Sequence, residues 1–162
     1  MAKKQPAAKG RKLIASNPNA GRNYSIQNKL EAGLVLTGTE IKSIRNQSPN
    51  LKESYVDFTS KGKIVEAWLK NAHISPYSHG NISNHDPKRN RKLLLHTEEL
   101  RRVHGAVTKK GMSVIPTQMY FIKGRAKLEI GIAKGKKLHD KRVSEKKKTA
   151  VREIAKAMKF KR

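Results

Sequence analysis

A polar segment between residues 71 and 91 carries the densest set of side chains in this 162-residue chain that can do chemistry. Rings and amides occur together in it, as Tyr77, His79, Asn81 and His85. It runs into the cluster Lys88-Arg89-Asn90-Arg91-Lys92, in which four of the five residues are cations. Aromatic or imidazole rings beside guanidinium groups suit unstacked bases, which looped RNA exposes and duplex DNA does not. A solvated run of charge is the alternative for the cations.

The end of the chain forms a second cationic segment, with 13 Lys and Arg against 3 acids in residues 134–162. We expect residues 134–142 to be extended or mobile. Ser144 can cap a helix that follows, with an apolar stripe at Val151, Ile154, Ala155 and Met158. Such a helix can pack on the body, fold inside a groove with RNA walls, or lie on a membrane surface. The stripe is narrow and ends in a single aromatic residue, Phe160, which disfavours the membrane.

The formal net charge of the chain is +25 and its sequence pI is about 10.6. Such self-repulsion is best explained by a nucleic-acid or acidic-membrane partner. The chain has no cysteine, which excludes disulfides and thiolate metal sites and fits a reducing, cytoplasmic location. No apolar run approaches the roughly 18 residues of a membrane span. The N-terminal residues are basic but lack the apolar stretch of a secretory signal, so we expect none.

No pattern of catalytic residues stands out. His73, His79 and His85 are six residues apart, whereas metal sites on loops usually show tighter pairs, so we predict no metal. The segment Gly131-Ile132-Ala133-Lys134-Gly135-Lys136 lacks the spacing and the hydroxyl residue of a phosphate-binding loop. We therefore predict a protein that is not an enzyme and needs no cofactor. An enzyme that uses the histidine-containing loop is kept as a distant hypothesis.

The elements that must position these residues are mostly strands. Apolar and alternating runs predict strands at residues 24–36, 53–59, 63–69, 113–122 and 125–133, and apolar residues 92–95 close the polar loop. Gly33 is interpreted as a bulge or barrel corner. Short helices are predicted after the caps Thr39 and Thr97, the second ending at Gly111. The class is mainly β (α+β), and the size suits an oligonucleotide-binding-type closed antiparallel barrel of about six strands with flanking short helices.

Four stretches resemble one known family in order and spacing. They are Leu30-Glu31-Ala32-Gly33-Leu34-Val35-Leu36, Gly38-Thr39-Glu40-Ile41-Lys42-Ser43-Ile44-Arg45, Asp86-Pro87-Lys88-Arg89-Asn90-Arg91-Lys92-Leu93-Leu94-Leu95, and Gly131-Ile132-Ala133-Lys134-Gly135-Lys136-Lys137-Leu138-His139-Asp140-Lys141-Arg142. The chain resembles the SsrA-binding protein (SmpB) family from about residue 12 to its end. Four long matches at consistent spacing are far more specific than one short motif.

The resemblance implies an oligonucleotide-binding-type barrel without catalysis that carries transfer-messenger RNA to stalled ribosomes for trans-translation. It implies that protein and RNA together mimic a tRNA, one protein per RNA, with the tail in the decoding centre and empty message channel, on 16S ribosomal RNA. Glu31 and Leu94 match family positions for RNA binding, and His96 stands where some members have Asn. We add the loop cations, so the expected RNA-binding residues are Glu31, Lys88, Arg89, Arg91, Lys92, Leu94 and His96.

The tail is expected to contact the ribosome through Gly135, Lys136, Lys137, His139, Asp140, Lys141 and Arg142, and its helix to present Val151, Ile154 and Met158. The predicted division is a flexible basic leader at residues 1–22, the RNA-binding barrel at 23–133, and a basic tail at 134–162 that forms a helix on the ribosome. A generic ribosome-associated RNA-binding protein or RNA chaperone is the alternative function.

Overall fold

The computed structural model describes residues 10–62, 64–137, 140–143, 149–150, 153–154 and 158. Seven strands occur in this part: β1 (Lys12–Ser16), β2 (Tyr24–Leu34), β3 (Tyr55–Lys61), β4 (Ile64–Lys70), β5 (Arg91–Leu94), β6 (Ser113–Ile122) and β7 (Arg125–Gly135). Three α-helices accompany them between residues 18 and 110: α1 (Pro18–Asn23), α2 (Gly38–Asn46) and α3 (Thr97–Lys110). A 3₁₀ turn spans Asn81–Ser83.

Six of these strands close into a ring. The hydrogen-bonded order is β6, β3, β4, β5, β2 and β7, and β7 then pairs with β6 again. All pairings are antiparallel, and β1 adds to the outer side of β6. Closure leaves the ring strands without a free edge, which is how small barrels avoid edge-to-edge association. The prediction of a mainly β, closed antiparallel barrel of about six strands is therefore confirmed.

The barrel core is apolar and packs one helix against it. Leu69, Leu128 and Ile130 are fully buried, and Val103 brings α3 into the same cluster. The structure also shows why α3 has these bounds. The Glu99 carboxylate accepts a hydrogen bond from the His96 N–H (3.2 Å), and the helix stops at Gly111, whose φ of +57° suits glycine.

Both predicted helix caps were displaced. The N-cap of α3 is His96 rather than Thr97, and the N-cap of α2 is Thr37 rather than Thr39. In each helix a glutamate three residues after the cap accepts from the cap N–H, as Glu40 does from Thr37 at 2.7 Å. The capping-box glutamate therefore locates the N-cap of each helix, whereas Thr39 and Thr97 lie inside the helices.

The prediction of a flexible leader over residues 1–22 is wrong for its second half. Lys12–Ser16 forms β1, and Pro18–Asn23 forms α1. Asn17 joins the two, because its N–H donates to Thr117 O (2.8 Å) and its amide to Pro116 O (3.0 Å). Its side chain also caps α1, with proline just inside the helix. Residues 1–9 lie outside the described residues.

Strand β2 is long, as predicted, but its irregularity is elsewhere. The register with β7 shifts between Ile26 and Asn28. Gly33 instead pairs with both Leu94 of β5 and Lys127 of β7. A Cβ at Gly33 would lie 3.2 Å from that of Leu94, so this glycine allows the two strands to approach closely. The strand thereby places Glu31 beside the residues of β5 and β7.

Candidate nucleic-acid interface

An open cleft of about 650 Å³ lies where β2, β5 and β7 meet. Its lining includes Glu31, Leu94, His96 and Lys127. Leu94 is 54% exposed on β5, so its side chain is available at this surface. Three residues predicted from the sequence, Glu31, Leu94 and His96, therefore meet in one concave surface. Lys127 was not predicted, because it comes from a strand almost a hundred residues away from Glu31.

The carboxylate of Glu31 is held from two sides. The Tyr120 hydroxyl donates to Glu31 Oε2 (2.5 Å), and Lys127 Nζ lies 3.3 Å from Oε1. The Tyr120 hydrogen bond lowers the pKa of Glu31, and the Lys127 hydrogen bond and charge add to this against a smaller effect of burial. Burial and the Glu31 hydrogen bond raise the pKa of Tyr120, which stays a donor. Glu31 is therefore ionised and, with its side chain 44% exposed, available as an acceptor.

Arg11, near the start of the described residues, packs against the Tyr120 ring that orients Glu31. The Arg11 guanidinium lies 3.6 Å from the centre of the Tyr120 ring and donates to the Gln118 amide oxygen (2.7 Å). A cation over an aromatic face is attracted to it, more strongly where water is excluded. Arg11, which the sequence analysis assigned to the flexible leader, thus packs on the ring that orients Glu31.

Tyr120→Phe tests whether this hydroxyl sets the state of Glu31. We expect the pKa of Glu31 to rise towards its ordinary value, because its largest stabilising hydrogen bond is lost. NMR titration of the carboxyl group measures this. Tyr55→Phe, which changes an exposed tyrosine on another face, should leave the pKa of Glu31 unchanged. An unchanged pKa in Tyr120→Phe would contradict the assignment.

The four cations of the polar loop differ in how deeply they are buried. Arg91 is fully buried, and it donates to Glu40 (2.8 Å), Ala72 O (2.6 Å) and Pro87 O (3.0 Å). Its predicted contact with RNA is wrong, because no part of this guanidinium reaches the surface. The sequence could not reveal this, since the partner Glu40 looks like an ordinary helix-capping acid.

The other three loop cations are closer to solvent. Arg89 donates to both carboxylate oxygens of Glu40, at 2.8 and 2.5 Å, with 30% of its side chain exposed. Lys92 pairs with Glu66 at 2.5 Å and is 40% exposed. Lys88 lies on the surface. Of the four loop cations, Lys88 and the partly exposed Arg89 and Lys92 therefore remain as candidate phosphate contacts.

The three histidines near the loop do not meet. The backbone of His73 pairs with that of Asn50, whereas the His85 ring bonds to Thr39 Oγ1 (3.0 Å) and Ile74 O (3.2 Å). Within the residues that the structure describes, no group of three or more His, Cys, Asp or Glu side chains is placed to hold a metal ion. His85 instead ties the loop to α2.

The cationic tail begins at the opposite end of the β2–β7 ladder from Glu31. Tyr24 pairs with Gly135, and Glu31 pairs with Glu129. Seven residues of strand separate Tyr24 from Glu31, or roughly 20 Å at the usual rise. Lys136 anchors the exit, donating from its N–H to Asn23 O (2.9 Å) and from Nζ to Gly21 O (3.0 Å). The last barrel residue is therefore Gly135, two residues beyond the predicted boundary.

The described residues of the tail from Asp140 onwards are helical. Residues 134–142 were expected to be extended or mobile; an extended conformation is wrong at Asp140, Lys141 and Arg142, which belong to a helical turn. The described residues at 149–150, 153–154 and 158 are helical too. Ile154 and Met158 are 55% and 69% exposed, which disfavours a helix packed on the body. Lys137 is exposed, and His139 and Val151 lie outside the described residues.

None of the helices in the described part of the chain is long and apolar enough to cross a membrane.

Comparison with known proteins identifies relatives of nearly the same length. The family model described as SmpB protein matches residues 14–160. The chain is 50% identical to the SsrA-binding protein of Pelobacter propionicus over 152 residues, which covers 94% of this chain and 97% of that protein. It is 52% identical to the SsrA-binding protein of Bradyrhizobium diazoefficiens over 143 residues, which covers 88% of each.

The fold has a solved counterpart. A chain from the structural work described as "tmRNA-SmpB: a journey to the center of the bacterial ribosome" superimposes with a TM-score of 0.63 and 41% identity. The match covers 77% of this chain and 85% of the solved one.

Proposed function

The chain belongs to the SmpB family, and from this premise we propose that the Glu31 cleft binds the tRNA-like domain of transfer-messenger RNA. SmpB is a family of RNA-binding proteins. This chain binds transfer-messenger RNA and acts with it in trans-translation on the ribosome. Which residues make the contacts, and what the tail does, are our proposals.

The carboxylate of Glu31 is the observation that carries the first proposal. The chain as a whole, with a net charge of +25, attracts phosphate, but the carboxylate of Glu31 is repelled by it. Glu31 therefore needs another role in an RNA site. Carboxylates accept hydrogen bonds from base amino groups, and ribose hydroxyls are further donors. Tyr120 and Lys127 keep Glu31 ionised and aimed, while Lys127 can also approach a phosphate. Leu94 and His96 supply apolar and ring surface for an unstacked nucleotide.

The tail is proposed to contact the ribosome. Its root lies at the far end of the β2–β7 ladder, so an RNA bound at Glu31 leaves the tail accessible. Lys141 and Arg142 are suited to phosphates of 16S ribosomal RNA, and His139 to stacking on a base. Ile154 and Met158 are exposed, so these apolar side chains are available to contact the decoding centre and message channel.

Glu31→Ala tests the cleft. We expect the affinity for the tRNA-like domain to fall by about tenfold, because donors on the RNA lose an ionised acceptor. Titration of the labelled RNA with full-length protein at two salt concentrations measures this. Glu53→Ala removes an exposed acid that lines a different groove and should bind like wild type.

Two results would contradict the proposal. One is unchanged affinity in Glu31→Ala. The other is recovery from cells of bulk RNA, rather than one discrete structured RNA, with the purified wild-type protein. The second result would favour a generic RNA chaperone. Wild-type binding should also weaken steeply with salt, as phosphate contacts require.

A further inference from the structure

We propose that Tyr77 and His79 form a second RNA contact, a stacking site for one unpaired base of transfer-messenger RNA. The proposal rests on the proposed function, because the ligand is the same RNA. The centres of the two rings lie 5.4 Å apart, and the ring planes are tilted by 46°. His79 is exposed and Tyr77 is half-buried. An exposed ring beside a half-buried one offers a sequence-tolerant surface, because every base has a face that can stack.

A cation completes the surface. Lys42 Nζ of α2 lies 5.6 Å from the centre of the Tyr77 ring. A base stacked on these rings brings its phosphate within reach of a long, flexible ammonium group. The surface therefore offers the two interactions that sites for single-stranded nucleic acid combine, which are ring stacking and positive charge.

The loop is held in shape before any RNA binds. Asn84 clamps Tyr77 by accepting from its N–H (3.0 Å) and donating to its carbonyl (2.8 Å). The Gly80 N–H donates to the same carbonyl (2.9 Å), and a Cβ at Gly80 would lie only 2.6 Å from the Asn84 amide nitrogen. The clamp thus needs glycine at this position. A site ordered in advance loses less conformational entropy when it binds.

The loop is also fixed to α2. Ser43 Oγ donates to Ser75 O (2.5 Å), and the His85 ring bonds to Thr39 Oγ1. On the same helix, Ile41 lines the Glu31 cleft while Lys42 lies beside Tyr77. Consecutive helix residues point about 100° apart. The stacking site and the cleft therefore flank one helix, which lets a single RNA contact both.

Tyr77→Ala tests the proposal in the full chain, with the tRNA-like domain of transfer-messenger RNA as the probe. We expect affinity to fall by about fivefold or more, the effect of losing one stacked base. Tyr77→Phe keeps a ring and should bind within about twofold of wild type. His79→Ala changes an exposed side chain, so it should fold normally and weaken binding severalfold. Ser83→Ala, on the exposed part of the same loop, is the matched control and should bind like wild type.

The outcomes separate this inference from the proposed function. Normal binding by both Tyr77→Ala and His79→Ala, with weakened binding by Glu31→Ala, overturns the stacking site and leaves the cleft. An equal loss in Tyr77→Phe and Tyr77→Ala also overturns it, because the ring is then not what matters. Failure of the wild-type protein to bind the RNA removes both proposals. Weakened binding by His79→Ala with an unchanged unfolding temperature supports the stacking site.

Discussion

Replacing Asp140, Lys141 and Arg142 by alanine is expected to abolish peptide tagging on stalled ribosomes while the affinity for transfer-messenger RNA stays within about twofold of wild type. The reason is geometric. The tail leaves the barrel beyond Gly135, at the other end of the β2–β7 ladder from Glu31. Contacts separated by roughly 20 Å of strand are expected to contribute nearly independently. Loss of ribosomal contacts by the tail therefore does not weaken the cleft.

The experiment compares two quantities on the same protein. Tagging is measured in a reconstituted translation reaction on a message without a stop codon, and affinity by titration of the labelled RNA. Lys110→Ala is the matched control, because it lowers net charge by one unit, as the triple change does, on the exposed last turn of α3. We expect that control to retain tagging. A tenfold loss of RNA affinity in the tail variant would contradict the division between cleft and tail.

The elements that the sequence predicted well are those whose signals are local. Five of the six ring strands were predicted from apolar or alternating runs, and α3 was predicted with its glycine stop. Strand β5 was foreseen only as an apolar run that closes the polar loop. Strand β1 and helix α1 were missed because residues 1–22, rich in Lys, Ala, Asn, Pro and Gly, show no apolar period. Asn17 and Pro18 are a helix-start signal, but their meaning depends on the ladder with β6 that orders the segment.

The residues of the candidate cleft were predicted only in part. Glu31 and Leu94 came from family resemblance, which records positions without explaining them. Tyr120, which orients Glu31, lies 89 residues away along the chain, and only the closed barrel brings the two together. Arg91 shows the opposite error. Its neighbours in the sequence are polar and cationic, yet the fold encloses it completely beside Glu40.

Glu40→Gln is expected to lower the free energy of unfolding by about 3–5 kcal/mol, the usual effect of removing one partner from a buried ion pair. Burial opposes the ionisation of Glu40, but hydrogen bonds from Arg89 and Thr37 and the charges of Arg91 and Arg89 outweigh it and lower the pKa. Glutamine leaves the Arg91 guanidinium buried without an anion. Since that guanidinium also binds Ala72 O and Pro87 O, the ends of the polar loop should loosen with it.

Lowering the pH provides an independent check that ionised Glu40 stabilises the folded state. The pKa of Glu40 is below its ordinary value of 4.5 in the folded state, so its contribution is complete above that pH and disappears as the pH falls through the folded value. The stability difference between wild type and Glu40→Gln should therefore shrink below pH 4.5. Urea unfolding at neutral and acidic pH measures it.

A surface pair supplies the control for the same chemistry. Asp57 pairs with Lys70 at 2.6 Å, with both side chains substantially exposed, so Asp57→Asn should change stability little because solvent screens the pair. Equal effects of Glu40→Gln and Asp57→Asn at neutral pH would show that burial does not set the strength of the Glu40 pair. In that case Arg91 would be held mainly by its carbonyl partners, and Glu40 would act chiefly as the capping-box acceptor for the Thr37 N–H of α2.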